Sequence, residues 1–140
     1  MIIDRFMRRA ALLAATLVLV AGCAAGVKKD NTADVETRAV ARWNYLIDHQ
    51  AEKAYDYLSP GYRATTPRAA YAKAMNGRPV QWKKVGFNKK KCDADRCTVY
   101  LVVSYSANIS AGLGRPIESV TPLAETWIRV KGNWYYLPSS

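Results

Sequence analysis

The chain has 140 residues, a formal net charge of +10, three Cys and one His. That length is enough for one small domain with a core of its own. Two Cys and a distant His beyond the N-terminal Cys do not supply the roughly four ligands of a structural zinc site, and no internal repeat or low-complexity tract is present.

The N-terminus reads MIIDRFMRRAALLAATLVLVAGCAAG. Arg5, Arg8 and Arg9 precede 10-AALLAATLVLVA-21, an apolar run shorter than the roughly 20 residues of a membrane-spanning helix. A charged start, a short apolar stretch and small residues at its end describe a secretory signal. Val20-Ala21-Gly22-Cys23 resembles a bacterial lipobox. That resemblance implies cleavage before Cys23, acylation of its thiol and, with Ala24 rather than Asp next, an outer-membrane anchor facing the periplasm. The organisation expected is a signal peptide over 1–22, a membrane tether over 23–33 and one domain over 34–138. The mature chain then carries 18 basic and 10 acidic residues, a net of +8.

Val35, Ala39, Trp43, Leu46 and Ile47 recur at helical spacing and predict a first helix, capped by Asn31, Thr32 or Asp34. A second short helix, 51-AEKAYDYL-58, is expected to break at 59-SPG-61. A third is expected with Thr66 as cap, Pro67 at the first helical position and Gly77 as its stop. Beyond Gly77, the segments 80–88, 97–107, 121–130 and 133–138 are rich in Val, Ile, Thr, Tyr and Trp and predict strands. Lys131-Gly132-Asn133 is a tight turn, and 108-NISAGLGRPIES-119 reads as a mobile loop or a hairpin.

Helices first and antiparallel strands afterwards give an α+β class, with N-terminal helices packed on a curved antiparallel sheet. The Trp-bearing first helix, 54-AYDYLSPGYR-63 and 125-ETWIRVKGNWYY-136 resemble nuclear transport factor 2-like domains over roughly residues 34–137. The resemblance implies a cone-shaped cavity under a curved sheet and pairing of copies through the sheet, so a homodimer is one state it allows. It carries over no catalytic residue, because no position here matches a catalytic motif of the family.

Candidate acid–base groups are few. His49 beside Asp48 closes the first helix, where a His more often complements the helix dipole than acts as a base. Asp56, between Tyr55 and Tyr57, is the other candidate. Glu125 alternates with Trp127 and Arg129, so a cross-strand or diagonal Glu–Arg pair is its simplest account. Among the aromatics, Trp43, Tyr62, Trp82 and Trp127 are candidates to line a pocket for an apolar or sugar-like ligand; the alternative is that they only fill the core.

Arg78, Lys83, Lys84, Lys89, Lys90, Lys91 and Arg96 gather around one hairpin. They read equally as an anion-binding face, for an envelope component or an acidic protein partner, and as a solvated edge-protecting run. Nucleic acid is not an expected partner outside the cytoplasm. Cys92 and Cys97 flank Asp93-Ala94-Asp95-Arg96, a four-residue hairpin loop in an oxidising compartment. A disulfide is expected there rather than a metal or redox centre. No cofactor is expected, and three functions remain open. The first is a non-catalytic, lipid-anchored envelope protein that binds a ligand or partner. The alternatives are a small-pocket enzyme of isomerase or dehydratase type and an accessory subunit of an envelope secretion or assembly complex.

Overall fold

The computed structural model describes residues 34–108 and 114–139. The expected signal peptide, tether and Cys23 lie outside the described residues. Four helices, α1 (Val35–Ile47), α2 (Ala51–Ala54), α3 (Pro60–Thr65) and α4 (Arg68–Asn76), precede four strands. These are β1 (Val80–Cys92), β2 (Arg96–Ala107), β3 (Ile117–Val130) and β4 (Asn133–Leu137). The strands form one antiparallel sheet in sequence order, and the helices pack on it, so the class is α+β. Among the described residues no helix is long and apolar enough to cross a membrane.

The stripe on α1 does what its spacing demands. Val35, Ala39, Trp43 and Leu46 are buried against Cys97, Val99, Leu101 and Val103 of β2 and Trp127 of β3. Every second residue of β2 from Cys97 to Val103 is buried, as the period of a one-sided sheet requires. Each large side chain taken from water in this way stabilises the fold by about 1.5–3 kcal/mol.

The helical segment from Ala51 continues as a 3-10 turn to Tyr57 and stops before Ser59-Pro60-Gly61, as expected, but three local features differ. Ser59-Pro60-Gly61 also starts a further helix. The Ser59 hydroxyl accepts from the amide of Tyr62 and Pro60 occupies the first turn of α3, where a missing N–H costs nothing. At α4 it is Pro67, not Thr66, that holds the cap position, its carbonyl accepting from Tyr71 N–H. The strands also outrun their sequence signals: β1 continues through Lys89, Lys90 and Lys91 to Cys92, and β3 begins at Ile117. Three successive lysines are tolerated there because β1 is an edge strand.

Ala107 pairs with Ile117 at the end of the β2–β3 ladder; of the residues expected as a mobile loop or hairpin, 109–113 lie outside the described residues. Lys131 and Gly132 both take positive φ (51° and 83°) and make the tight turn into β4. Cys92 and Cys97 face each other as a register pair at the β1–β2 turn, with Sγ atoms 2.03 Å apart. β4 is short and pairs only with residues 126–130 of β3. The preceding half of β3, up to Glu125, runs on past the end of β4.

Candidate functional site

A cavity of about 430 Å³ lies between α1, α4, the start of β1 and this part of β3. Its walls are Trp43, Leu46, Tyr62, Tyr71, Met75, Trp82, Leu123 and Tyr136, and Arg78 and Ser139 also line it. The size falls within the roughly 300–1,000 Å³ that small-molecule sites occupy. Trp43 and Trp82 meet edge to face, with centroids 5.4 Å apart, and Tyr62 meets Tyr71 in the same manner at 6.4 Å.

Three charged residues line the cavity among the described residues, and two of them are buried: Arg42 is 4% exposed and Glu125 5%. Arg42 Nη1 donates to Glu125 Oε1 at 2.8 Å. The same oxygen accepts from Trp43 Nε1 at 2.8 Å, and Oε2 accepts from Trp127 Nε1 at 3.1 Å. Three donors from two helix positions and one strand therefore converge on a single carboxylate. Arg42 gains less in return. Its Nη2 has only a long contact, 3.5 Å, with the Tyr71 hydroxyl, and its Nε is buried without an acceptor. The guanidinium carbon lies 4.0 Å from the centroid of the Tyr136 ring, whose π face supplies part of the missing stabilisation.

The electrostatics follow from this packing. Burial works against the charge on Arg42, yet Glu125, Tyr71 and Tyr136 together outweigh it and hold the guanidinium above its ordinary pKa. Burial also raises the Tyr136 phenol; Arg42 opposes that shift, while Glu125, Tyr71 and Tyr62 add to it. Tyr136 thus keeps its proton throughout the neutral range.

The sequence candidates separate. Trp43, Tyr62 and Trp82 line the cavity, whereas Trp127 is fully buried beneath it and acts as a donor to Glu125. Glu125 does not pair with Arg129, contrary to the strand-pair expectation: it reaches across to α1, and Arg129 instead holds Asp95 at 2.7 Å. Asp56 and His49 are both exposed and neither lines the cavity. Asp56 is bound by Arg68 at 2.6 Å, and that hydrogen bond draws its pKa below the usual carboxylate value.

The basic cluster is likewise split. Arg78 stands at the cavity rim. Lys83 reaches Gln81 Oε1, and Lys90 turns toward α1 to pair with Glu36 at 2.8 Å. Lys84, Lys89, Lys91 and Arg96 pair in register with Ser104, Tyr100, Thr98 and Ile128. Those partners alternate with the buried positions, so the four cations lie on the sheet face turned away from the helices.

Sequence reasoning missed Arg42 and Tyr136, left Tyr71 to the core, and misassigned Glu125. The signal was present: Arg42 falls seven residues after Val35 and three after Ala39, on the apolar stripe, and Glu125 shares the inward phase of Trp127. A cation and an anion each forced onto a buried face have one another as the natural partner. Among the described residues no group of three or more His, Cys, Asp or Glu is placed to hold a metal ion.

No family model matches the chain, and no curated protein sequence matches it. Solved structures do resemble it. A SEC-C motif containing protein from Rhodopseudomonas palustris superposes with a TM-score of 0.58 at 13% identity, covering 74% of this chain and 75% of that one. A Campylobacter jejuni protein, provisionally described as an NTF2-like transpeptidase, gives 0.47 at 12% identity, covering 74% and 97%. A Mycobacterium tuberculosis protein of unknown function also gives 0.47 at 12%, covering 72% and 66%. What the chain shares with the R. palustris protein is the fold alone, helices laid on an open antiparallel sheet.

Proposed function

We propose that this chain is a non-catalytic, lipid-anchored envelope protein whose nuclear transport factor 2-like domain binds a small molecule in the aromatic cavity. The observation that carries this reading is the cavity itself: it has ring faces on its walls and a fully engaged carboxylate on its floor. A binding site needs apolar walls and a few fixed polar groups, and those are present. The lipobox and the apolar run before it support anchoring at Cys23, with residues 23–33 as the tether. The strip of Lys84, Lys89, Lys91 and Arg96 then has anionic head groups as its natural counterpart.

An isomerase- or dehydratase-type enzyme is the second reading, favoured by one observation: a buried carboxylate lies in a cavity that also holds the hydroxyls of Tyr71 and Tyr136. Against it, three donors already occupy Glu125, leaving little acceptor capacity for a substrate proton.

The experiment is calorimetric titration of wild type and of Leu123→Trp, which fills the cavity, with small ring compounds such as naphthalene derivatives. Wild type is expected to bind saturably, Leu123→Trp to lose binding, and Asp56→Asn and His49→Ala to behave as wild type. Equal binding by the filled variant overturns the cavity as the site. Consumption of the compound, abolished by Glu125→Gln, overturns the non-catalytic assignment. Anchoring has its own test, incorporation of labelled palmitate in cells, expected for wild type and lost in Cys23→Ser.

A further inference from the structure

The hydrogen-bonding inventory of the cavity is lopsided. Among the described residues its one carboxylate, Glu125, is taken up by Arg42, Trp43 and Trp127. Donors remain. Of the five N–H groups of Arg42, one meets Glu125, one makes a long contact with Tyr71, and Nε meets nothing. The hydroxyls of Tyr62 and Tyr136 have no hydrogen-bond partner among the described residues, and both residues line the cavity. Arg78 adds an exposed guanidinium at the rim.

Charge points the same way. Arg42 and Glu125 cancel, and Arg78 leaves the lining, among the described residues, with a net positive charge. Two of the five rings that line the cavity already carry the protein's own Arg42, 4.0 Å over Tyr136 and 5.6 Å over Trp43. A cationic ligand would meet the like charge of Arg78 and two rings already taken by Arg42; an acceptor-rich one would meet spare donors.

We infer that the cavity takes a small organic anion: a carboxylate, sulfonate or phosphate carried on a ring or short apolar body. The anionic group lies between Arg78 and the hydroxyls of Tyr62 and Tyr136, and the apolar body lies against Trp43, Trp82 and Leu123. This rests on the reading of the cavity as a ligand site and adds its chemical class.

Three probes with one ring system separate the two claims: 2-naphthoate, naphthalene-2-carboxamide and 2-naphthylmethylammonium, each titrated calorimetrically into the full folded domain. The naphthoate is expected to bind tightest, ahead of the carboxamide by about tenfold, as a charge-assisted contact requires. Its affinity is expected to fall with added salt, while that of the carboxamide holds. Arg78→Gln is expected to bring the naphthoate down to the carboxamide and leave the carboxamide unchanged, whereas Trp82→Ala weakens both. Equal affinities for all three probes, or tightest binding of the ammonium, overturn the anion assignment and leave the cavity reading standing. Binding of none of the three overturns both.

Discussion

Replacing Glu125 with Gln changes one oxygen for an amide and tests the buried network at its centre. Wild-type Glu125 accepts from Arg42 and Trp43 through Oε1 and from Trp127 through Oε2. In Glu125→Gln the amide oxygen keeps one side of that set, and the NH₂ group then faces a donor on the other. Arg42, 4% exposed, loses the only counter-charge that it has within hydrogen-bonding distance among the described residues. Breaking a buried pair by removing one partner costs about 3–5 kcal/mol. Against a typical total of roughly 5–15 kcal/mol, that is a large share. The melting temperature should fall by roughly 12 °C or more. Urea unfolding followed by Trp fluorescence is the assay, with the midpoint shifting at constant slope. Because Arg42→Met removes the stranded charge, the double variant Arg42→Met/Glu125→Gln should cost less than the sum of the two singles. A loss below about 1 kcal/mol in Glu125→Gln, or strict additivity in the double variant, would refute the reasoning, since an exposed pair contributes no more than that.

Two further outcomes follow from the geometry. Reducing Cys92–Cys97, which closes a loop with a sequence separation of 5, should cost about 2 kcal/mol and lower the melting temperature; rapid alkylation of both thiols in native, unreduced protein would contradict the pairing. Burial raises the Tyr136 phenol above the ordinary 10.0, so the unfolded chain releases that proton first as pH rises. Stability from this group is intact below about pH 10 and is lost above it as pH climbs through the folded value. Tyr136→Phe should flatten that alkaline decline in a urea series, and an unchanged slope would contradict the assignment.

How much of this was legible in the sequence depended on whether a residue's signal was local. The α1 stripe and the Lys131–Gly132 turn are local, and both appear where the spacing puts them. Cys92 facing Cys97 needed only a four-residue loop and the alternation of two strands. Helix α3 was missed because Pro60 and Gly61 read as breakers, whereas the same Pro at a first turn is compatible with helix once Ser59 caps it. The site was less legible for a different reason. Arg42 and Glu125 are 83 positions apart, and nothing within a few residues of either names the other. Nearest-neighbour reasoning gave Glu125 to Arg129, four residues along the same strand. Tertiary packing overrode it, because both residues of the true pair lie on the inward faces of elements that stack. The lysine cluster was over-grouped in the same way: proximity in sequence joined Lys90 to Lys89 and Lys91, but strand alternation turns Lys90 inward to Glu36.

The central claim, that a small molecule enters this cavity, meets its most direct test in the indole N–H signals of ¹⁵N-labelled protein. Of the four Trp, Trp43 and Trp82 line the cavity and Trp134 is buried away from it. Titration with 2-naphthoate is expected to shift the Trp43 and Trp82 signals saturably and together, and to leave Trp134 in place. No movement of either cavity signal at millimolar probe, or movement confined to the backbone amides of Lys84, Lys89 and Lys91, would contradict it.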